Sequence, residues 1–276
     1  MFTLNCKGRL LIINEPIVMG ILNITPDSFY EDSRVNTTDA IITKAGQMIA
    51  DGATIIDVGG QSTRPNSQLL AAYEETERVI PAIIALAKAY PTVFISIDTF
   101  YASTAAAAVA AGASLVNDVS GGSMDAAMLS TVARLNVPYV CMHTKGNPQN
   151  MQAMAQYKNI TVEVLDYFIN QLQQCKAAGI TDVLIDPGFG FAKDATHNFQ
   201  LLRNLAVFKQ LGCPILAGLS RKSSIYKTLG ITAAEALNGT TVVNTLALQN
   251  GAAVLRVHDV KEAAEAIKLY QLYKMV

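Results

Sequence analysis

Eight short apolar runs punctuate the chain, and each leads directly into polar residues. Residues 18–22 lead into Asn23, 54–56 into Asp57, 93–97 into Asp98, and 115–116 into Asn117 and Asp118. Further on, 139–142 lead into His143, 183–185 into Asp186, 214–219 into Ser220, Arg221 and Lys222, and 253–255 into Arg256 and His258. Apolar runs this short, bounded by turn residues, suit strands buried on both faces of a parallel sheet. Helical patterns alternate with them near 38–50, 74–89, 103–111, 125–135, 162–178, 199–205, 233–250 and 260–273. A strand–helix unit repeated eight times predicts an α/β chain, a single (β/α)8 TIM barrel whose chemistry lies at the C-terminal ends of its strands. Residues 2–14 read as a short N-terminal β-hairpin turning at Lys7 and Gly8, a lid over the bottom of the barrel.

Composition narrows what such a barrel can do. The 276 residues suffice for one barrel, and no Ser/Gly- or Pro-rich linker divides them, so 1–276 read as one domain. The formal net charge is −1 and only 16% of residues are charged. No basic field recruits nucleic acid or an anionic membrane. Cys6, Cys141, Cys175 and Cys213 are scattered, without C-x-x-C or Cys/His ligand spacing, which suits reduced, inert thiols in a cytoplasmic setting. The N-terminus lacks the features of a signal peptide, and the uncharged stretch 99–117 is Ala/Ser/Gly-rich, a helix with its flanks rather than a membrane span.

The chemistry gathers at the run ends. Asp57, Asp98, Asp186 and Asn117 would converge on one mouth, where a buried carboxylate needs a partner. Either they pair internally with Lys222 or Arg256, or they accept hydrogen bonds from a flat heterocycle rich in N–H donors. Lys222, Arg256 and His258 follow the last two strands, a frequent phosphate site of this fold. Arg256 and His258 are two apart, so on an extended segment they face the same side. Together with Arg64 they point to an anionic leaving group. Two long connections, 23–37 and 59–71, leave strand ends where barrel enzymes carry mobile catalytic loops. The first offers oxygen ligands in 23–28 that suit a hard cation arriving with phosphates. Phe191, after two glycines, either stacks on a ligand or packs in the core.

With these segments in view, the chain closely resembles the dihydropteroate synthase family. The resemblance rests on Met19-Gly-Ile-Leu-Asn-Ile-Thr-Pro-Asp-Ser-Phe29, Ile55-Ile-Asp-Val-Gly-Gly60, Ser62-Thr-Arg-Pro65 and Ser96-Ile-Asp-Thr99. It continues in Asn117-Asp-Val119, Met142-His143 with Gly146-Asn-Pro148, Asp186-Pro-Gly-Phe-Gly-Phe191, Ser220-Arg-Lys-Ser223 and Arg256-Val-His-Asp-Val260. It implies an Mg²⁺-dependent condensation of 6-hydroxymethyl-7,8-dihydropterin diphosphate with 4-aminobenzoate, giving 7,8-dihydropteroate and diphosphate. It also implies that Asp98, Asn117, Asp186 and Lys222 read the pterin edge while Met142 and Arg256 contact its ring faces. Thr63, Arg64, Arg256 and His258 would hold the diphosphate, and Asn23 the Mg²⁺. Pro65, Phe191, Lys222 and Ser223 would shape the aminobenzoate pocket, which sulfonamides of the family's drug class also occupy. Glu31, Arg64 and Lys222 carry the implied catalytic roles, and a homodimer is the implied assembly.

The first loop reads Ser28-Phe-Tyr-Glu-Asp-Ser33 where family members usually have Ser-Phe-Ser-Asp-Gly-Gly, so Glu31 would stand in for the loop acid. Gln61 and Asn66 also replace a common Glu and a common Gly. Two rival readings remain: a corrinoid-linked methyltransferase barrel, and a pterin-binding paralogue without catalysis. Arg64, Lys222, Arg256 and His258 count against the first, because methyl transfer has no diphosphate to hold. The altered loop is the feature that favours the second.

Overall fold

The computed structural model describes residues 1–24, 34–61, 69–146, 150, 151 and 153–275. Strands β1 (Phe2–Cys6) and β2 (Arg9–Ile13) form the antiparallel hairpin, joined through Lys7 and Gly8 at φ 55° and 85°. Eight parallel strands follow: β3 (Ile17–Asn23), β4 (Ala53–Gly59), β5 (Phe94–Asp98), β6 (Leu115–Asp118), β7 (Tyr139–Met142), β8 (Val183–Asp186), β9 (Leu216–Ala217) and β10 (Val254–Val257). They pair in the order β8-β7-β6-β5-β4-β3-β10-β9, and a parallel bridge from Ile185 to Ile215 closes the ring. The expected (β/α)8 barrel with its short hairpin is the architecture formed.

The helices α1 (Arg34–Ala50), α2 (Ala72–Ala89), α3 (Ala102–Ala111), α4 (Met128–Leu135), α5 (Ile160–Ala178), α6 (Ala195–Arg203), α7 (Ser223–Leu229), α8 (Leu237–Gln249) and α9 (Val260–Met275) surround it. Between strands and helices lies the larger core, with Ile56, Ile83, Ile97, Val116, Tyr139, Phe168 and Phe208 among its buried members. Several helices depart from the sequence expectation: α1 begins at Arg34 rather than 38 and α4 at Met128 rather than 125. α6 starts near 195 rather than 199, because Asp194 caps it by accepting from the His197 amide at 2.8 Å. α7 was not anticipated: its seven residues are too few to show a periodic face, and Gly230 ends it in a left-handed conformation. The helix expected over 233–250 begins at Leu237, since Thr232 and Glu235 close a turn ahead of it.

Inside the barrel the period of two orders the chemistry. Met19, Ile55, Leu115, Val140, Leu184, Leu216 and Val254, with part-buried Phe94, form an apolar floor to which each barrel strand contributes one residue. Leu4, Cys6, Leu11 and Ile13 of the hairpin pack beneath it and seal the N-terminal end. Two residues further along each strand stand Ile21, Asp57, Ser96, Asn117, Met142, Asp186, Gly218 and Arg256, and two beyond those Asn23, Gly59, Asp98, Val119, Thr144, Gly188, Ser220 and His258. The polar layers therefore sit on a closed apolar base, at the C-terminal mouth.

Candidate active site

Arg256 is the hub of the middle layer. Its Nε donates to Asp57 Oδ2 and its Nη2 to Asp98 Oδ2, each at 2.6 Å. Asp57 Oδ2 also accepts from Asn117 Nδ2 at 3.0 Å, so the Asn117 amide commits a donor to Asp57 and keeps its Oδ1 as an acceptor. Both carboxylates thus have the partner that their burial requires. Burial pushes the Asp98 carboxyl up to about 7 against the pull of Arg256, with Asp57, Asp118 and Asp186 adding to the rise. The Arg256 guanidinium is raised further still by Asp57 and Asp98, despite its burial. Asp118, adjacent to Asn117, faces the other side of β6 and serves the fold: it accepts from the Ser120 and Gly122 amides and from the Tyr139 hydroxyl, all at 2.7 Å.

The connection after β8 brings in the second half. Asp186 Oδ1 accepts from the Gly188 amide at 2.8 Å, and burial raises its carboxyl while Lys222 lowers it. Lys222 donates to the Phe189 carbonyl, and its ammonium stands 4.7 Å from the centre of the Phe191 ring. Burial pulls Lys222 down to about 8, opposed by Asp186. Met142 is buried with Phe100 and Val119, and partly buried Phe191, Tyr101, Met124 and Leu69 pack on that cluster at the rim. An apolar patch thus flanks the acids, as a flat ring would require.

Other expected residues fall around this centre. Asn23 ends β3, and its Oδ1 lies 3.4 Å from where a Cβ on Gly59 would stand, with Asp98 on the far side of that glycine. His258 is exposed, and its Nδ1 and backbone amide lie 3.2 Å from Ser220 Oγ. Ser223 is exposed at the start of α7. Arg221 turns away to a bidentate pair with Asp259 at 2.9 and 2.8 Å, which ties the ends of β9 and β10 together. Glu31, Thr63, Arg64 and Pro65 lie outside the described residues. Among the described residues no cluster of three or more His, Cys, Asp or Glu could hold a metal by itself.

Internal pairing of the acids with Arg256, one of the two alternatives the sequence offers, is what Asp57 and Asp98 form. Asp57 also anchors Asn117, which the sequence does not reveal, and its place below Asp98 follows from the period of two. Lys193 is buried without a carboxylate partner among the described residues, and no motif pointed to it.

Comparison with known proteins agrees with this picture. The sequence model of a family described as pterin binding enzyme matches residues 19–258. A dihydropteroate synthase from Escherichia coli K12 is 41% identical over 267 residues, covering 96% of this chain and 94% of its own. The structure of a Xanthomonas albilineans dihydropteroate synthase with 4-aminobenzoic acid is similar with a TM-score of 0.92 at 39% identity, covering 99% of this chain and 98% of its own. A Yersinia pestis dihydropteroate synthase in a sulfonamide drug complex gives a TM-score of 0.93 at 36% identity over the whole of both chains.

Proposed function

The chain belongs to the pterin-binding enzyme family, and from that premise we propose that it is a dihydropteroate synthase. It condenses 6-hydroxymethyl-7,8-dihydropterin diphosphate with 4-aminobenzoate and releases diphosphate. The observation that carries this reading is the preformed network of Asp57, Asn117 and Arg256 over an apolar floor, reaching up to Asp98 in the next layer, with Asp186 and Lys222 beside it. Carboxylate and amide acceptors from three strands meet the N–H edge of a pterin there, and Lys222 supplies a donor. Met142 and the Arg256 guanidinium take its faces.

The reaction then needs little beyond placement and charge. Thr63, Arg64, Arg256 and His258 hold the diphosphate and stabilise the charge that grows on it as the C–O bond breaks. The pterin methylene becomes cationic, and the aniline nitrogen attacks it from the side of Pro65, Phe191, Lys222 and Ser223. Glu31 is the acid of the covering loop. A Mg²⁺ bound by Asn23 would supply further charge neutralisation to the leaving group. The amide oxygen of Asn23 at the rim suits an ion that keeps most of its waters and phosphate oxygens.

The same membership supports a cytoplasmic homodimer and a pocket that accepts sulfonamides. No described helix is long and apolar enough to cross a membrane. For the dimer face we favour α8 and α9, where Val242, Leu246, Leu269 and Leu272 are exposed while Val243, Leu248 and Ile267 serve the core. The test is dihydropteroate formation from the two substrates with and without Mg²⁺. Mg²⁺-dependent product with matching diphosphate release is expected. Tight binding of the pterin diphosphate without product would overturn the catalytic reading.

A further inference from the structure

Lys193 is 3% exposed and so is His143, its nearest partner. The Lys193 ammonium lies 2.9 Å from His143 Nδ1 and donates to the carbonyls of His143 at 3.3 Å, Gly188 at 3.0 Å and Phe191 at 2.9 Å. Three N–H donors meet four acceptors here, so one is shared between the His143 ring and a carbonyl, and burial with Lys193 beside it keeps His143 neutral by pulling it down to about 2. These partners belong to two connections, the one after β7 and the one after β8. A buried lysine without a carboxylate partner is costly and burial pulls its pKa well down, so the hydrogen bonds it makes are what offset that cost here.

What it holds is a tightly turned coil. Gly188, Gly190 and Ala192 have φ of 70°, 83° and 49°, three left-handed positions within five residues. A Cβ on Gly188 would overlap the His143 carbonyl oxygen, so the two connections touch backbone to backbone. Glycine adopts such angles freely, but Ala192 keeps its own only where the surroundings over-determine it. The coil also carries the Phe189 carbonyl that accepts from Lys222 and the Phe191 ring beneath its ammonium.

We propose that Lys193 is a positioning residue for the aminobenzoate half of the site. It gathers three carbonyls from two βα connections, and so sets the Phe191 ring and the Lys222 ammonium at the spacing the second substrate meets. The assignment rests on the synthase reading above.

Lys193→Met keeps the unbranched stem and removes the donors. With wild type in parallel, its KM for 4-aminobenzoate is expected to rise about tenfold or more. Its calorimetric Kd for the pterin diphosphate should weaken several-fold less than the KM rises, because Asp98, Asn117 and Arg256 hold the pterin from strands outside the coil and only Asp186 and Lys222 touch it. In Lys193→Ala, propylammonium ion should restore part of the KM, which a residue that merely stabilises the fold would not allow. Should Lys193→Met fail to fold by circular dichroism, Lys193→Gln takes its place, with the same split expected. An unchanged KM in a folded variant, or equal losses for both substrates, overturns the proposal. A wild type that makes no product strikes the synthase reading instead, and the two calorimetric affinities then decide the role of Lys193 alone.

Discussion

Asp57 and Arg256 stand 199 residues apart in sequence, yet Asp57 Oδ2 accepts from Arg256 Nε at 2.6 Å. The carboxylate is fully buried, and its other oxygen has no partner among the described residues. Asp57→Ala leaves Arg256 with Asp98 alone and strands the Asn117 amide. It should destabilise the protein by roughly 3 kcal/mol in urea titration and weaken pterin binding. Arg256→Met should cost less in that background than in the wild type, since only the Asp98 partner is then left to lose. Strictly additive losses would show that the pair is not coupled.

Lys222 should set the alkaline limb of the activity profile. Its ammonium titrates at about 8 in the fold against an ordinary 10.5, so kcat/KM should fall above pH 8 as the donor is lost. Stability moves the opposite way: between those values the unfolded chain binds more protons, and the Lys222 contribution to folding grows as pH rises. Lys222→Met should lower kcat/KM by about a hundredfold and erase both trends. An alkaline limb that survives in the variant assigns it to another group.

Glu75 is fully buried on α2, accepts from the Thr99 hydroxyl at 2.6 Å, and its second oxygen has no partner among the described residues. Burial raises it from 4.5 to about 7, with Asp98 adding to the rise and Thr99 opposing it. The folded chain therefore binds more protons across that window, and stability declines as pH climbs from 4.5 to 7. Glu75→Gln should remove the decline: Tm at pH 8 should rise by about 5 °C, with no gain at pH 4. Equal shifts at both pH values would refute the assignment.

Leu11, buried beneath the floor, is remote from the mouth. Leu11→Ala should cost roughly 2–4 kcal/mol of stability while KM for both substrates stays at the wild-type value. A changed KM would mean that the floor transmits its packing to the acids above.

The barrel was legible because its strands are short, doubly buried and end in chemistry, and because eightfold alternation with helical patterns settles what a single short apolar run leaves ambiguous. Asp98, Asn117, Asp186 and Arg256 were found at strand ends for that reason, and Arg256 and His258 were already placed on one side by their spacing. What stayed hidden was pairing. Nothing local in 253–258 distinguishes an Arg256 that waits for a ligand from one clamped by Asp57, because the partner arrives from β4 at the other end of the chain. Lys193 was invisible for a different reason: a lysine in a loop ordinarily points to water, and only the meeting of two backbones makes it interior. α7 and the start of α6 were set by Asp194 and Gly230, end signals that a search for periodic faces passes over.

The hairpin has a practical corollary. Because its inner face closes the floor, Met1 emerges 90% exposed at the opposite end of the barrel from Asn23, Asp98 and Lys222. A protein tethered to a bead or sensor chip through that residue would present its mouth outward, to the bulk solution, in every copy.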